Sequence, residues 1–148
     1  SDPALLLARV RQALAPGGVL VLHEYVDYAT YRCMPRRPAI ERFVQEVMRS
    51  WREHGGEPDI ARALPAMLTA AGFHIQSTRP LSFSFTPSDD GWNWPAGFVR
   101  TNVPRLVELC RVTQAWADEV MAELAAAEAD PGSSFETPLV LEIVAERA

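Results

Sequence analysis

Apolar side chains recur along this chain at two spacings, one near 3.6 residues and one in unbroken runs, and the switches between them divide it into elements. Leu6, Leu7, Val10 and Leu14 fall at helical spacing behind Asp2 and Pro3, a capping carboxylate and a proline in the first turn, where a missing N–H is no loss. Pro16-Gly17-Gly18 stops that helix and turns the chain into Val19-Leu20-Val21-Leu22, an apolar run ending in His23-Glu24-Tyr25. Such a run predicts a strand covered on both faces. From Pro38, the positions Ile40, Phe43, Val44, Val47, Met48 and Trp51 form a helical stripe that Gly55-Gly56 ends. A shorter helical stretch begins at Pro58-Asp59; Pro65 breaks or restarts it, and Gly72 caps it. Phe73 to Leu81 alternates in a way that predicts a partly buried strand.

Ser82 to Asn102 holds Trp92, Trp94, Pro95 and Phe98 around Gly91 and Gly97, a density of breakers that predicts a covering or docking loop. Helical spacing returns from Val99 to Ala127 in two pieces, with Thr113 as the cap of the second, and Asp130-Pro131-Gly132-Ser133 closes it. Pro138 to Ala145 is nearly all apolar and predicts a central strand. There is no internal repeat or low-complexity tract.

A length of 148 residues with 48% hydrophobic composition predicts one domain over 1–148. No apolar run approaches the roughly 20 residues that cross a bilayer, and the first residues lack a secretion pattern, so the expectation is a soluble, cytoplasmic chain without a membrane partner. The net charge of −5 argues against a nucleic-acid partner, because such binding draws on clustered cations. Cys33 and Cys110 sit in no metal-ligand spacing, which leaves two free, buried thiols and no metal site.

Two blocks carry a resemblance. Leu14-Ala15-Pro16-Gly17-Gly18-Val19-Leu20-Val21-Leu22-His23-Glu24 and, further on, Leu64-Pro65-Ala66-Met67-Leu68-Thr69-Ala70-Ala71-Gly72-Phe73, in this order, resemble the C-terminal half of class I S-adenosylmethionine-dependent methyltransferases. The resemblance implies an α/β fold, the C-terminal part of a Rossmann-like sheet. Val19 to Tyr25 would be strand five, Phe73 to Leu81 strand six, and Leu139 to Ala145 strand seven, antiparallel between the other two. Residues 82–130 would be a loop and helical insertion between the last two strands. It implies a transferase that methylates a small-molecule acceptor with S-adenosylmethionine as the cofactor of a longer parent enzyme. The glycine-rich turn that holds the cofactor in such sheets is missing, since no G-x-G occurs in the chain. No cofactor-binding residue is therefore expected here, and this half alone is expected to be inactive.

Ligands of open α/β sheets bind beyond the carboxyl ends of the strands, which nominates His23, Glu24, Tyr25, Tyr28 and Tyr31 for the acceptor side. His23 or Glu24 is the candidate general base, although methyl transfer can run on alignment alone and strand-end hydrogen bonding is the plainer role. Trp92, Trp94 and Phe98 could wall a planar acceptor or simply pack under a long loop. Arg32, with Arg36 and Arg37, could hold an acidic acceptor or lie in a solvated loop. A strand five without strand four leaves an open apolar edge, so a homodimer paired through that edge is expected. A non-enzymatic α/β dimerisation or small-ligand-binding module is the alternative.

Overall fold

The computed structural model describes residues 2–148, whose contacts gather into two units. The first comprises residues 2–28, 55–81 and 139–148. Its helix α1 (Pro3–Ala13) starts as expected, with the Asp2 carboxylate accepting from the amides of Ala4 at 2.9 Å and Leu5 at 3.3 Å. The turn that follows takes Gly17 to φ +74°, where a side chain would be strained. That turn is stitched to the end of the last strand, since Gly17 N–H donates to Arg147 O and Arg147 N–H to Gly18 O.

Three strands form the sheet of this unit: β1 (Val19–Asp27), β3 (Phe73–Leu81) and β6 (Leu139–Arg147), in the order β1-β6-β3. β6 is antiparallel to both neighbours, so β1 and β3 run parallel to each other with the last strand between them. The apolar run 139–145 is central, as its composition predicted. One face packs Leu20, Leu22, Ile143, Ala145 and Phe73 onto Leu7 of α1 and onto Leu64 and Leu68 of α3 (Leu64–Ala70). Pro65 restarts the helix, because in the first turn of α3 its missing donor has no partner to lose. The expectation of cover on both faces of Val19–Leu22 needs correcting: Val19 and Val21 are each 54% exposed. The reason is that side chains alternate along β1, and the helices of this unit pack on the Leu20/Leu22 side.

The second unit comprises residues 29–54 and 82–138. Its helices are α2 (Pro38–Glu53), α4 (Asn93–Glu108) and α5 (Gln114–Glu128). They bury Phe43, Val44 and Val47 of α2 with Val99, Val103 and Leu106 of α4 and Val120 and Leu124 of α5. A second, small sheet has the order β2 (Arg32–Met34), β5 (Ser134–Glu136), β4 (Ser84–Phe85), all antiparallel. The expected loop over Ser82–Asn102 is also corrected, since β4, a 3-10 turn at Asp90–Trp92 and the first half of α4 occupy it. Pro95 falls in the first turn of α4, where it breaks nothing, and Gly97 is carried within the helix. Thr113 caps α5 as expected, its hydroxyl accepting from Trp116 N–H at 3.2 Å.

Candidate functional site

The carboxyl end of β1 is locked by groups from the segment after Gly55-Gly56. The register shifts between Tyr25 and Asp27, a bulge that re-aims the chain as it leaves the sheet. Tyr25 and Tyr28 then meet edge to face at 4.8 Å. Tyr28 is buried, and burial drives its phenol well above the usual range; burial and the Glu24 charge raise that of Tyr25. Both hydroxyls stay protonated near neutrality and can donate hydrogen bonds without serving as bases. The buried Asp59 carboxylate accepts from Tyr28 N–H at 2.7 Å, and Arg62 donates to Val26 O at 2.7 Å. Arg62 also lies 3.8 Å from both Asp27 and Asp59. The sequence nominated neither Asp59 nor Arg62; their signal was an Asp and an Arg three residues apart on a short helical turn, which is common on solvated surfaces.

His23 points to the sheet face opposite the packed one. Its Nε2 lies 2.7 Å from a Glu142 carboxylate oxygen, and Arg79 of β3 donates to the same carboxylate at 3.1 Å. These hydrogen bonds, His23 first and Arg79 second, hold Glu142 below the usual glutamate value of 4.5. The three side chains form a cross-strand ladder over β1, β6 and β3. Glu24 is exposed on the neighbouring position.

The remaining nominated residues belong to the second unit. Tyr31 and Arg32 line a cavity of about 200 Å³ together with Glu41, Val44, Gln45 and Met48. Tyr31 is fixed there, for its buried hydroxyl donates to Pro95 O at 2.7 Å. Its ring faces Phe98 at 6.3 Å and Phe135 at 5.6 Å. Trp92 packs on Phe135 at 4.7 Å and donates from its indole to Glu128 at 3.2 Å. Phe98 also meets Phe43 at 5.8 Å and Trp51 at 6.0 Å. Tyr31, Trp92 and Phe98 are thus brought together in one aromatic interior, whereas Trp94 is 47% exposed. Arg36 pairs with Glu41, and Arg37 lies 3.5 Å from Asp130. The buried Cys33 thiol is pushed up to about 11 by burial, which keeps it a thiol rather than a nucleophilic thiolate.

A nucleoside cofactor held at a glycine turn needs free backbone amides beyond the carboxyl end of a strand. The residues present do not fit that requirement. Gly17 and Gly18 precede β1 at its amino end, and their amides donate to Arg147 O and Ala15 O. The Gly72 amide donates to Thr69 O, and a side chain there would run into Arg11. Gly55 follows a helix. Among the described residues no group of three or more His, Cys, Asp and Glu could hold a metal ion, and no helix is long and apolar enough to cross a membrane.

No protein-family model matches the chain, and no curated protein does. Among solved structures it is similar to Haemonchus contortus phospholethanolamine N-methyltransferase 2, solved with phosphomonomethylethanolamine and S-adenosylhomocysteine. The identity is 12% and the TM-score 0.40, over 99% of this chain and 30% of that one. The chain therefore spans less than a third of the length of that protein, and a likeness of this degree assigns no strand and no residue role.

Proposed function

We propose that this chain forms the acceptor side of an S-adenosylmethionine-dependent transferase that methylates a small molecule, with the cofactor held by residues beyond these 148. The supporting observation is the order β1-β6-β3, with the last strand antiparallel between two parallel ones and a Pro-Gly-Gly turn leading into the first. In this reading β1, β3 and β6 correspond to strands five, six and seven of the methyltransferase sheet. The second resembling block supports it, since it forms α3 and passes through Gly72 at φ +82° into β3. Within the first unit the candidate acceptor contacts are Tyr25 and Tyr28, at the end of β1, and within the second unit they are Tyr31 and Arg32, at the small cavity. Trp94 would add an exposed aromatic surface, and Trp92 and Phe98 would stiffen the wall behind it. His23 and Glu24 remain the candidates for proton removal.

Calorimetric titration with S-adenosylmethionine tests the reading. This chain gives no saturable heat, whereas the polypeptide extended upstream through the coding sequence binds at one site per chain. Saturable binding by the 148 residues, or none by the extended polypeptide, contradicts it.

A contrast between the two sheet edges favours a second reading, an α/β dimerisation or ligand-binding module. The β3 edge is blunted by a bulge between Ile75 and Ser77, by Arg79 and by Pro80, which offers no donor. The first seven residues of β1 are free of all three, and β1 pairs with β6 alone among the described residues. Two copies joined along β1 would bury Val19 and Val21. Light scattering then returns the mass of a dimer that Val21→Lys converts to a monomer; a wild-type monomer at all concentrations excludes it.

A further inference from the structure

Gln45 of α2 lines the small cavity on one side and a larger one, of about 570 Å³, on the other. That volume is ample for a small organic ligand. Arg42, Glu46 and Arg49 join Gln45 on one face of α2 because they are spaced three and four residues apart. The facing wall is built by the turn between α4 and α5. There Arg111 N–H donates to Leu106 O at 3.0 Å and Cys110 N–H to Val107 O at 2.8 Å, the hydrogen-bond pair that ends a helix through a left-handed residue. Glycine usually fills that position, yet Cys110 holds φ +53° at the cost of its Cβ. The turn delivers Arg111 inward, its side chain only 14% exposed, to bridge Glu46 at 2.9 Å and Glu53 at 2.6 Å. One helical turn on, Trp116 closes the wall with a half-buried ring.

We propose that this cavity binds a small ligand that carries an anionic group, phosphate or carboxylate, on a planar ring. Three guanidiniums line it against one carboxylate, and that carboxylate, Glu46, is buried and shared between Arg49 and Arg111. Arg111 and Glu46 are the fixed floor of the cavity. Among the described residues Arg42 is held by the exposed Glu119 of α5, and the Arg49 side chain is 64% exposed. The exposed Arg42–Glu119 pair contributes little, so an incoming anion can take the Arg42 guanidinium without a large loss, and Arg49 can turn its exposed guanidinium to the anion while Arg111 keeps its bond to the buried Glu46. The planar fork of arginine suits the two oxygens of such a group, and the Trp116 side chain in the lining supplies an aromatic surface for the ring. The first turn of α5 carries no acidic side chain to repel the anion. The proposal stands apart from the methyl-transfer reading, because the residues it uses lie in α2, the α4–α5 turn and the first turn of α5, and none of them is assigned to the acceptor there.

Phenyl phosphate, inorganic phosphate and phenol are the probes, each titrated into the whole chain while the indole N–H of Trp116 and the arginine Nε–H signals are followed by nuclear magnetic resonance. Phenyl phosphate shifts the Trp116 and Arg signals and saturates at millimolar concentration; inorganic phosphate binds more weakly, and phenol gives no saturable shift. Arg42→Gln with Arg49→Gln, both at exposed arginine side chains, weakens phenyl phosphate by about tenfold or more while the variant stays folded, since Arg111 still pairs with Glu46. Trp116→Leu reduces phenyl phosphate to the affinity of inorganic phosphate. Absence of saturation by about 10 mM phenyl phosphate, equal binding by phenol, or unchanged affinity in the double arginine variant overturns the proposal.

Discussion

Glu142 shows how a single carboxylate can tie three strands together. It sits on the central strand, and its hydrogen bonds from His23 of β1 and Arg79 of β3 hold its folded value below 4.5. A depressed carboxylate contributes stability that is fully present above its unfolded value and is lost as pH falls through its folded one. Glu142→Gln should therefore lower the urea midpoint of the chain near neutral pH and leave it unchanged once the pH lies below the glutamate range. A difference between variant and wild type that persists undiminished in acid would contradict this. His23 could be nominated from the sequence because it stands near a strand end, but its partner lies 119 residues away. No local pattern announces a cross-strand ladder whose register is set by the burial of the opposite face. The aromatic candidates met a similar limit. The number of rings between Trp92 and Phe98 was legible, while their burial against Phe135, Phe43 and Trp51 depended on partners from two other elements.

At the scale of elements, caps and glycine turns were readable and short pieces were not. Asp2 and Thr113 each accept from their own first turn, so the starts of α1 and α5 follow from one side chain apiece. The strands β2, β4 and β5 are two or three residues long, too short for a period of two to emerge. The start of α4 was hidden because Pro95 and Gly97 count against a helix interior, whereas Pro95 occupies the first turn. The break between α4 and α5 was readable from Thr113 as a new cap, although a cysteine stands where glycine would have signalled the stop itself. Cys110 is exposed rather than buried as its residue type suggested, because it sits in the turn, so Cys110→Gly should raise stability by about 1 kcal/mol by relieving a left-handed residue without removing a packed side chain. Thr113→Ala should lower it by about 1 kcal/mol through loss of the cap. Urea midpoints of the two variants that moved together, or in the reverse directions, would show that the turn is not built as described.

The molecule as a whole combines a sheet packed by helices on one face with a three-helix unit that carries the cavities. The order and direction of the strands were anticipated only through the resemblance, while the nearly continuous apolar run from Leu139 by itself placed that strand at the centre of its sheet. The division into two units was not, since each draws on separated stretches of the chain and only long-range contacts reveal the grouping. The open edge of β1 is the feature on which the functional account turns: among the described residues no second strand pairs with it, and Val19 and Val21 lie exposed beside it. Amide hydrogen exchange over Val19–Tyr25 tests that account directly, compared between this chain at a monomeric concentration and the polypeptide extended upstream. The outward amides of β1 should exchange freely in the first and become protected in the second, as a neighbouring strand pairs with them. Equal exchange in both would mean that no strand from beyond these residues completes the sheet, and the acceptor-half account would fail.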